Sequence, residues 1–183
     1  MSENQITNSM KHEGIDYSVQ RAETTNFKDN TFDLICVAQA LHWFNHEKFW
    51  KEVKRVLKED GIFAAWGYSW FNVEKDIDLL IKEEIFEKIN PYWAKENKIL
   101  WNHYRDLDFP FKKIETPSID MVIQWDLNEL FDYMKSWSAT RLCIEDMGED
   151  FYNRAYEKVK KLWGNDKVKK EVSMDLCLLV GMK

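Results

Sequence analysis

The sequence predicts an α/β fold, and three neighbouring stretches predict it. Phe32–Ala38 is a short, nearly uncharged apolar run entered through the polar turn Lys28-Asp29-Asn30, the pattern of a strand buried in a parallel sheet. From Asn45 the apolar residues fall at Phe49, Trp50, Val53, Val56 and Leu57, which is helical spacing, with Asn45 as the start cap and Gly61 as the stop. Ile62–Trp66 then reads as a second buried strand. Strand, helix and strand in about 35 residues make one right-handed βαβ crossover. Ligands of such sheets bind at the carboxyl ends of the strands, so Ala38–Trp43 and Trp66–Trp70 are expected to face a site.

The remaining elements follow in chain order. Ser2 to Lys11 carries Ile6 and Met10 at helical spacing, with Ser2 as the cap. Ile15, Tyr17 and Val19 alternate with polar residues and predict a strand. Ile77, Leu80, Ile81, Ile85, Phe86 and Ile89 predict a long amphipathic helix that stops before Pro91, because the residue preceding proline avoids helical backbone angles. Pro91 to Pro117 is aromatic without a sustained period and reads as a structured loop or lid. Ile119–Trp125 predicts a strand, and Asp126 with Glu129 forms a capping box for a helix through Leu127, Leu130, Phe131 and Met134 that Trp137-Ser138-Ala139-Thr140 ends. Phe151, Ala155, Val159 and Leu162 mark a further helix closed by Gly164, and Met174 to Val180 a final strand.

Composition narrows the function classes. With 183 residues, 45% hydrophobic and 32% charged, the chain can bury a substantial core, and no apolar run approaches the roughly 20 residues a bilayer crossing needs. The polar start lacks the basic and apolar regions of a signal peptide, so a cytoplasmic location is expected. Net charge is −6 and the lysines between Lys158 and Lys170 are interspersed with acids, which argues against nucleic acid as a partner. Cys36, Cys143 and Cys177 are odd in number and set among apolar residues, so they read as reduced core thiols. Nine tryptophans are more than core filling requires, and some of them are expected to line an apolar ligand cavity.

The sequence holds no G-x-S-x-G, H-E-x-x-H, paired-cysteine, Walker or G-x-G-x-x-G signature. His42 and His46 are four apart, but His42 precedes the predicted cap and no acidic third ligand is evident, so no metal site is expected. A resemblance does emerge from longer stretches. Ala22-Glu23, Phe32-Asp33-Leu34-Ile35, Ala38-Gln39-Ala40-Leu41-His42-Trp43-Phe44 and Glu52-Val53-Lys54-Arg55-Val56-Leu57-Lys58 resemble the middle of a class I S-adenosylmethionine-dependent methyltransferase. Within that family the chain is most similar to the group that includes trans-aconitate methyltransferase. Pro91-Tyr92-Trp93, Leu107-Asp108-Phe109-Pro110-Phe111, Tyr133 with Ser136-Trp137-Ser138-Ala139-Thr140, and Trp163-Gly164 extend the likeness towards the end of the chain. The order and spacing of these segments carry it more than any single one.

The resemblance implies a partial Rossmann-like methyltransferase sheet over 1–183, with its N-terminal strands missing and a largely helical, aromatic, substrate-side insertion at 74–165. It implies S-adenosylmethionine as cofactor and a small-molecule acceptor, with a carboxylate as one candidate. Glu23, after Ala22, would accept a hydrogen bond from the adenine amino group. Ala38, Gln39 and Ala40 would pass the methionine part of the cofactor, and His42 and Trp43 would stand near the transferable methyl. The alternative role of Gln39 and His42 is a helix-start hydrogen bond, and that of Trp43 a core contact. Arg141 and Arg105 are the cations that would hold a carboxylate or else form solvated salt bridges. Tyr133 and Trp137 form an acceptor wall or plain core packing.

One departure accompanies the resemblance. A complete domain of this family opens with a strand, a Gly-rich loop, a helix and a second strand ending in a ribose-binding acid, and this sequence has no such segment. The strand at Phe32–Ala38 is therefore expected to lack a neighbour along one edge. An unpaired apolar edge seeks a partner, so self-association into a homo-oligomer is expected, with activity of this chain alone impaired or lost. Three explanations compete: a shortened form of a full enzyme, a second chain that supplies the missing half, or a noncatalytic remnant that serves as a binding or oligomerisation module.

Overall fold

A computed structural model of the chain describes residues 3–183. Its elements are α1 Glu3–Thr7, β1 Phe32–Ala38, a 3-10 turn Leu41–Trp43, α2 His46–Val56 and β2 Leu57–Asn72. They continue with α3 Lys75–Ile81, a π-helical turn Lys82–Phe86, α4 Glu87–Ile89, a 3-10 turn Asn90–Tyr92 and α5 Asn97–Trp101. β3 Lys112–Ile114, β4 Ile119–Trp125, α6 Leu127–Ser136, α7 Ser138–Met147, α8 Asp150–Trp163 and β5 Lys170–Met182 complete the chain. The residues form two compact units. Unit 1 contains the chain through Trp66 with Leu107–Thr116 and Leu178–Lys183; unit 2 contains Gly67–Asp106 and Pro117–Cys177.

Unit 1 is built on the predicted βαβ crossover. β1 pairs in parallel with β2 from Leu34↔Ile62 to Ala38↔Trp66, and the strand order runs β1-β2-β5-β3. The sheet is not uniformly parallel, since β3 meets β5 antiparallel from Lys112↔Met182 to Ile114↔Val180. α2 starts as predicted: the Asn45 side chain accepts the Lys48 N–H at 3.2 Å. Phe49, Trp50, Val53 and Val56 are its buried face. Phe63, Phe109 and Phe111 ring Trp50 at 5.2 to 6.0 Å and fill the rest of this core.

The helix stop is a correction. α2 ends at Val56 rather than at Gly61, and β2 begins at Leu57, five residues before the predicted start. Opposite Phe32–Leu34 the register jumps from Leu57 to Ile62, so Lys58 to Gly61 form a bulge inside one long strand. Asp60 takes φ +62° in that bulge, and a Cβ on Gly61 would lie 2.8 Å from the Leu57 side chain and from the Lys58 carbonyl. The turn-like Glu59-Asp60-Gly61 belongs to a strand irregularity, which local composition cannot distinguish from a helix stop.

The predicted strand at Ile15–Val19 does not form. These residues are irregular, Ile15 and Val19 are about half exposed, and the nearest pairing is a single Arg21↔Thr24 bridge. Alternation of side chains needs a ladder partner to become a strand, and none is present among the described residues. The helix near the start shortens to Glu3–Thr7, and its predicted Ser2 cap lies outside the described residues. Cys36 is also a correction: it is exposed on β1, whereas Cys143 and Cys177 are buried as expected.

Unit 2 closes around one continuous core that includes Ile77, Ile81, Ile85, Leu127, Leu130, Met134, Val159, Val172 and Met174, each 1% exposed or less. β4 pairs antiparallel with β5 from Ile119↔Leu176 to Trp125↔Lys170. The capping box is present in full: Asp126 accepts from Asn128 and Glu129 N–H, and Glu129 returns a bond from the Asp126 N–H. α8 stops at Gly164, whose φ of +86° an L-residue rarely adopts. The stretch Trp137–Thr140, expected to end a helix, does so only at Trp137, which is extended. Ser138 opens α7, which buries Ala139, Thr140 and Cys143. The helix before Pro91 ends at Ile89 and carries the π-helical turn in its middle. Among the described residues no helix is long and apolar enough to cross a membrane.

Candidate functional site

The carboxyl end of β1 carries the sharpest local feature of unit 1. Gln39 takes φ +51°, a left-handed conformation that costs a non-glycine residue about 1 kcal/mol or more. Its N–H donates to the Trp66 carbonyl at 2.9 Å, tying the turn to the partner strand at the same level of the sheet. The reversal sends Ala40 into the 3-10 turn Leu41–Trp43. Leu41 and His42 are buried there, while Trp43 is about half exposed and its ring lies 4.7 Å from that of His42. His46 is bound locally, with Nε2 3.0 Å from the Leu41 carbonyl.

Glu23 reaches the same end of the sheet. One of its carboxylate oxygens accepts the Asn45 N–H at 2.9 Å, so the side chain braces the entry to α2. Its second oxygen has no partner within the described chain. The structure thus gathers Ala22, Glu23, Ala38, Gln39, Ala40, His42 and Trp43 in unit 1, around the ends of β1 and the start of α2.

The outer side of β1 is open. β1 pairs with β2 alone among the described residues, and Leu34 is 53% exposed. An apolar groove of about 520 Å³ runs along it, lined by Phe27, Phe32, Leu34, Cys36, Ala38, Phe44, Phe49 and Val53 among others. Thr25 and Glu52 are its polar members. Glu52 Oε1 accepts both the Thr25 N–H at 2.8 Å and its hydroxyl at 2.5 Å. Arg55 binds both Glu52 oxygens, the Phe27 carbonyl and Asp29. The Arg55 guanidinium, with help from Thr25, holds the Glu52 carboxyl down at about 2. This lock keeps Thr25–Asp29 against α2, and reading the sequence does not single it out. Its available signal is an acid and an arginine three apart on one helix face.

Unit 2 holds the other candidates. Tyr133 and Trp137 meet edge to face at 5.3 Å, and both are partly buried. Burial pushes the Tyr133 phenol up to about 12, so it stays neutral and able to donate a hydrogen bond at physiological pH. Trp137 also packs on Phe71, Phe86 and Trp93, and Trp70 joins Trp93 and Trp101, making an aromatic cluster whose Trp93 Nε1 is buried without a hydrogen-bond partner among the described residues. In the sequence, Trp70 ends the stretch expected to face a site and Trp93 belongs to one of the segments that carry the resemblance, whereas Trp101 is legible only as aromatic excess. Arg141 and Arg105 are exposed, and neither forms an ion pair among the described residues. No group of three or more His, Cys, Asp or Glu side chains among the described residues is arranged to hold a metal ion.

Residues 1–65 match the family model for a methyltransferase domain. A provisionally named methyltransferase of Dictyostelium discoideum is 30% identical over 165 residues, covering 88% of this chain. The chain spans 63% of the length of that relative. A solved structure provisionally described as a type II methyltransferase from Anaeromyxobacter dehalogenans superposes with a TM-score of 0.89 at 26% identity, covering 99% of this chain and 77% of that one. These likenesses support the methyltransferase family. The sheet with its flanking helices is a methyltransferase fold. At 13% identity and a TM-score of 0.50, a provisionally described methyltransferase from an antibiotic biosynthesis pathway of Anabaena variabilis shares the fold alone.

Proposed function

We propose that the chain contributes to S-adenosylmethionine-dependent methyl transfer onto a small molecule. The observation that carries this reading is the left-handed turn at Gln39, at the carboxyl end of the parallel β1–β2 pair, where open sheets of this class bind ligands. The residues present fit the cofactor's polar needs in part. Glu23 accepts one bond, from the Asn45 N–H, and keeps its other oxygen without a partner among the described residues, while Ala22, Ala38 and Ala40 offer small side chains along the groove. Ala22, Glu23, Ala38, Gln39 and Ala40 would hold S-adenosylmethionine, which when bound supplies a methyl group already activated by its sulfonium. The protein's task is then alignment, and within unit 1 His42, buried against Trp43, is the residue proposed for it. Tyr133, Trp137 and Arg141, all within unit 2, are proposed separately as acceptor-binding residues. Arg141, exposed and in no ion pair among the described residues, suits a carboxylate, the acceptor class suggested by the likeness to the trans-aconitate methyltransferase group.

Calorimetric titration with S-adenosylmethionine tests this. The sequence as given contains no Gly-rich loop, so the isolated chain is expected to bind with a dissociation constant above about 100 μM, an affinity near −5.5 kcal/mol or poorer. Glu23→Gln and Gln39→Ala should weaken it further. Micromolar binding would show a rebuilt cofactor site, and identical titrations for the wild type and both variants would remove these residues from it.

The open β1 edge favours a second reading, a homo-oligomer in which a second copy of this chain covers Phe32–Ala38, whether or not methyl transfer survives. Its outer edge is unpaired among the described residues, and the strand is apolar apart from Asp33. Light scattering at micromolar concentration should give more than the monomer mass, returning to monomer for Leu34→Lys. A monomeric wild type would sink this reading.

A further inference from the structure

Unit 2 contains a separate groove of about 430 Å³ between the end of β2 and the helical face that runs from Asp78 to Asn90. Its apolar wall is Trp70, Phe71 and Phe86. The rings meet at angles instead of stacking: Trp70 and Phe86 are 4.8 Å apart and tilted by 44°, and Phe71 and Phe86 are 5.8 Å apart at 75°. Such a corner presents aromatic faces in more than one direction, and Trp70 keeps about a third of its surface exposed in it. Phe86 and Lys82 are the two ends of the π-helical turn, a rare geometry concentrated at functional sites.

The polar lining of the groove is underused by the protein itself. Asp78 accepts the Val73 N–H at 2.9 Å and a backbone bond from Glu74, but no cation pairs with it among the described residues. Burial raises its pKa, so a cation beside it would relieve a desolvated carboxylate. Glu87 and Lys82 form no ion pair, and the Asn72 and Asn90 side-chain amides have no hydrogen-bond partner, again among the described residues. Two carboxylates therefore stand against one lysine beside an aromatic corner.

We propose that this groove binds a small organic cation, an amine or quaternary ammonium group held against Trp70 and Phe86 with Asp78 and Glu87 as its counter-charges. The argument uses this groove alone and does not depend on the methyl-transfer reading. Three probes of equal shape test it on the full 183-residue chain, followed by tryptophan fluorescence and calorimetry: choline, its neutral isostere 3,3-dimethylbutan-1-ol, and the anion 3,3-dimethylbutanoate. Choline is expected to saturate in the millimolar range or tighter, with the neutral isostere about tenfold weaker. The exposed variants carry opposite signs: Glu87→Gln should weaken choline binding severalfold and Lys82→Met should tighten it. Trp70→Leu should lose it. Equal binding of choline and the neutral isostere would reduce the groove to an apolar surface. Preference for the anion, abolished by Lys82→Met, would reverse its assignment, and no binding of any probe at tens of millimolar would overturn it.

Discussion

The two units of this chain handle apolar surface in opposite ways. Unit 2 buries its own: α3, α4, α6, α7, α8, β4 and the facing part of β5 surround a core in which Leu127, Leu130, Met134 and Val159 are wholly covered. Unit 1 leaves much of β1 in the open, with Leu34 half exposed and an apolar groove along a strand edge that has no neighbour among the described residues. A helical stripe can be satisfied by the helices that follow it in the chain, whereas a strand needs a specific partner on each side. In unit 1 the segment bordering the groove is held by polar bonds, Thr25 and Asp29 to Glu52 and Arg55, in addition to packing.

The sharpest way to break this contrast is a matched pair of truncations. Leu130→Ala empties a fully buried position and should cost about 3 to 4 kcal/mol in urea unfolding. Leu34→Ala removes a side chain already half in water and should cost no more than about 0.5 kcal/mol. Equal costs would mean that β1 is covered in solution, which is what a second copy would do.

Smaller, but specific to unit 1, is Glu52→Gln. The variant loses charge-assisted bonds, and with Arg55 partly exposed and screened the expected loss is about 1 to 2 kcal/mol at neutral pH. The pH dependence has a definite sign. Glu52 titrates lower in the folded chain, at about 2, than the ordinary glutamate value of 4.5, so its stabilisation is full above that ordinary value and is lost as pH falls from there towards 2. The wild-type advantage over Glu52→Gln should therefore shrink in urea melts taken below about pH 4.5. An advantage that stays constant down to about pH 3 would remove the ionised carboxylate from the lock.

The capping box in unit 2 gives a smaller loss than Glu52→Gln. Asp126→Ala should cost about 1 kcal/mol, with Asp126→Asn recovering most of it, because either side chain can accept the first-turn N–H bonds. A loss of several kcal/mol would show that α6 depends on its cap more than on its buried face.

Elements with a local signature are legible in the sequence alone. Phe32–Ala38, Asn45 as a cap, Ile119–Trp125, Asp126 with Glu129 and Gly164 are all readable there, because strand hydrophobicity and helix capping are decided within a few residues of chain. Periodicity misses α7 because one extended residue, Trp137, separates it from α6, and the polar Ser138 and Thr140 mask the buried spacing of Ala139 and Cys143. Gly61 misleads because a bulge in a long strand has the composition of a turn.

Of the candidate site, the sequence by itself pointed to the segment from Ala38 to Trp43, and the acid at Glu23 came from the resemblance. The sequence also carried the family likeness, which rests on the order of many short segments. Tertiary structure alone decided the left-handed turn at Gln39, the Glu52–Arg55 lock across nearly 30 residues of chain, and the meeting of Trp70 with Phe86 beside two carboxylates. Each of these depends on backbone angles or on neighbours distant in sequence, which periodicity does not encode. The open edge of β1 belongs to both. Its apolar character is written in six of seven consecutive residues, and whether that edge is paired is a property of what lies beside it in space.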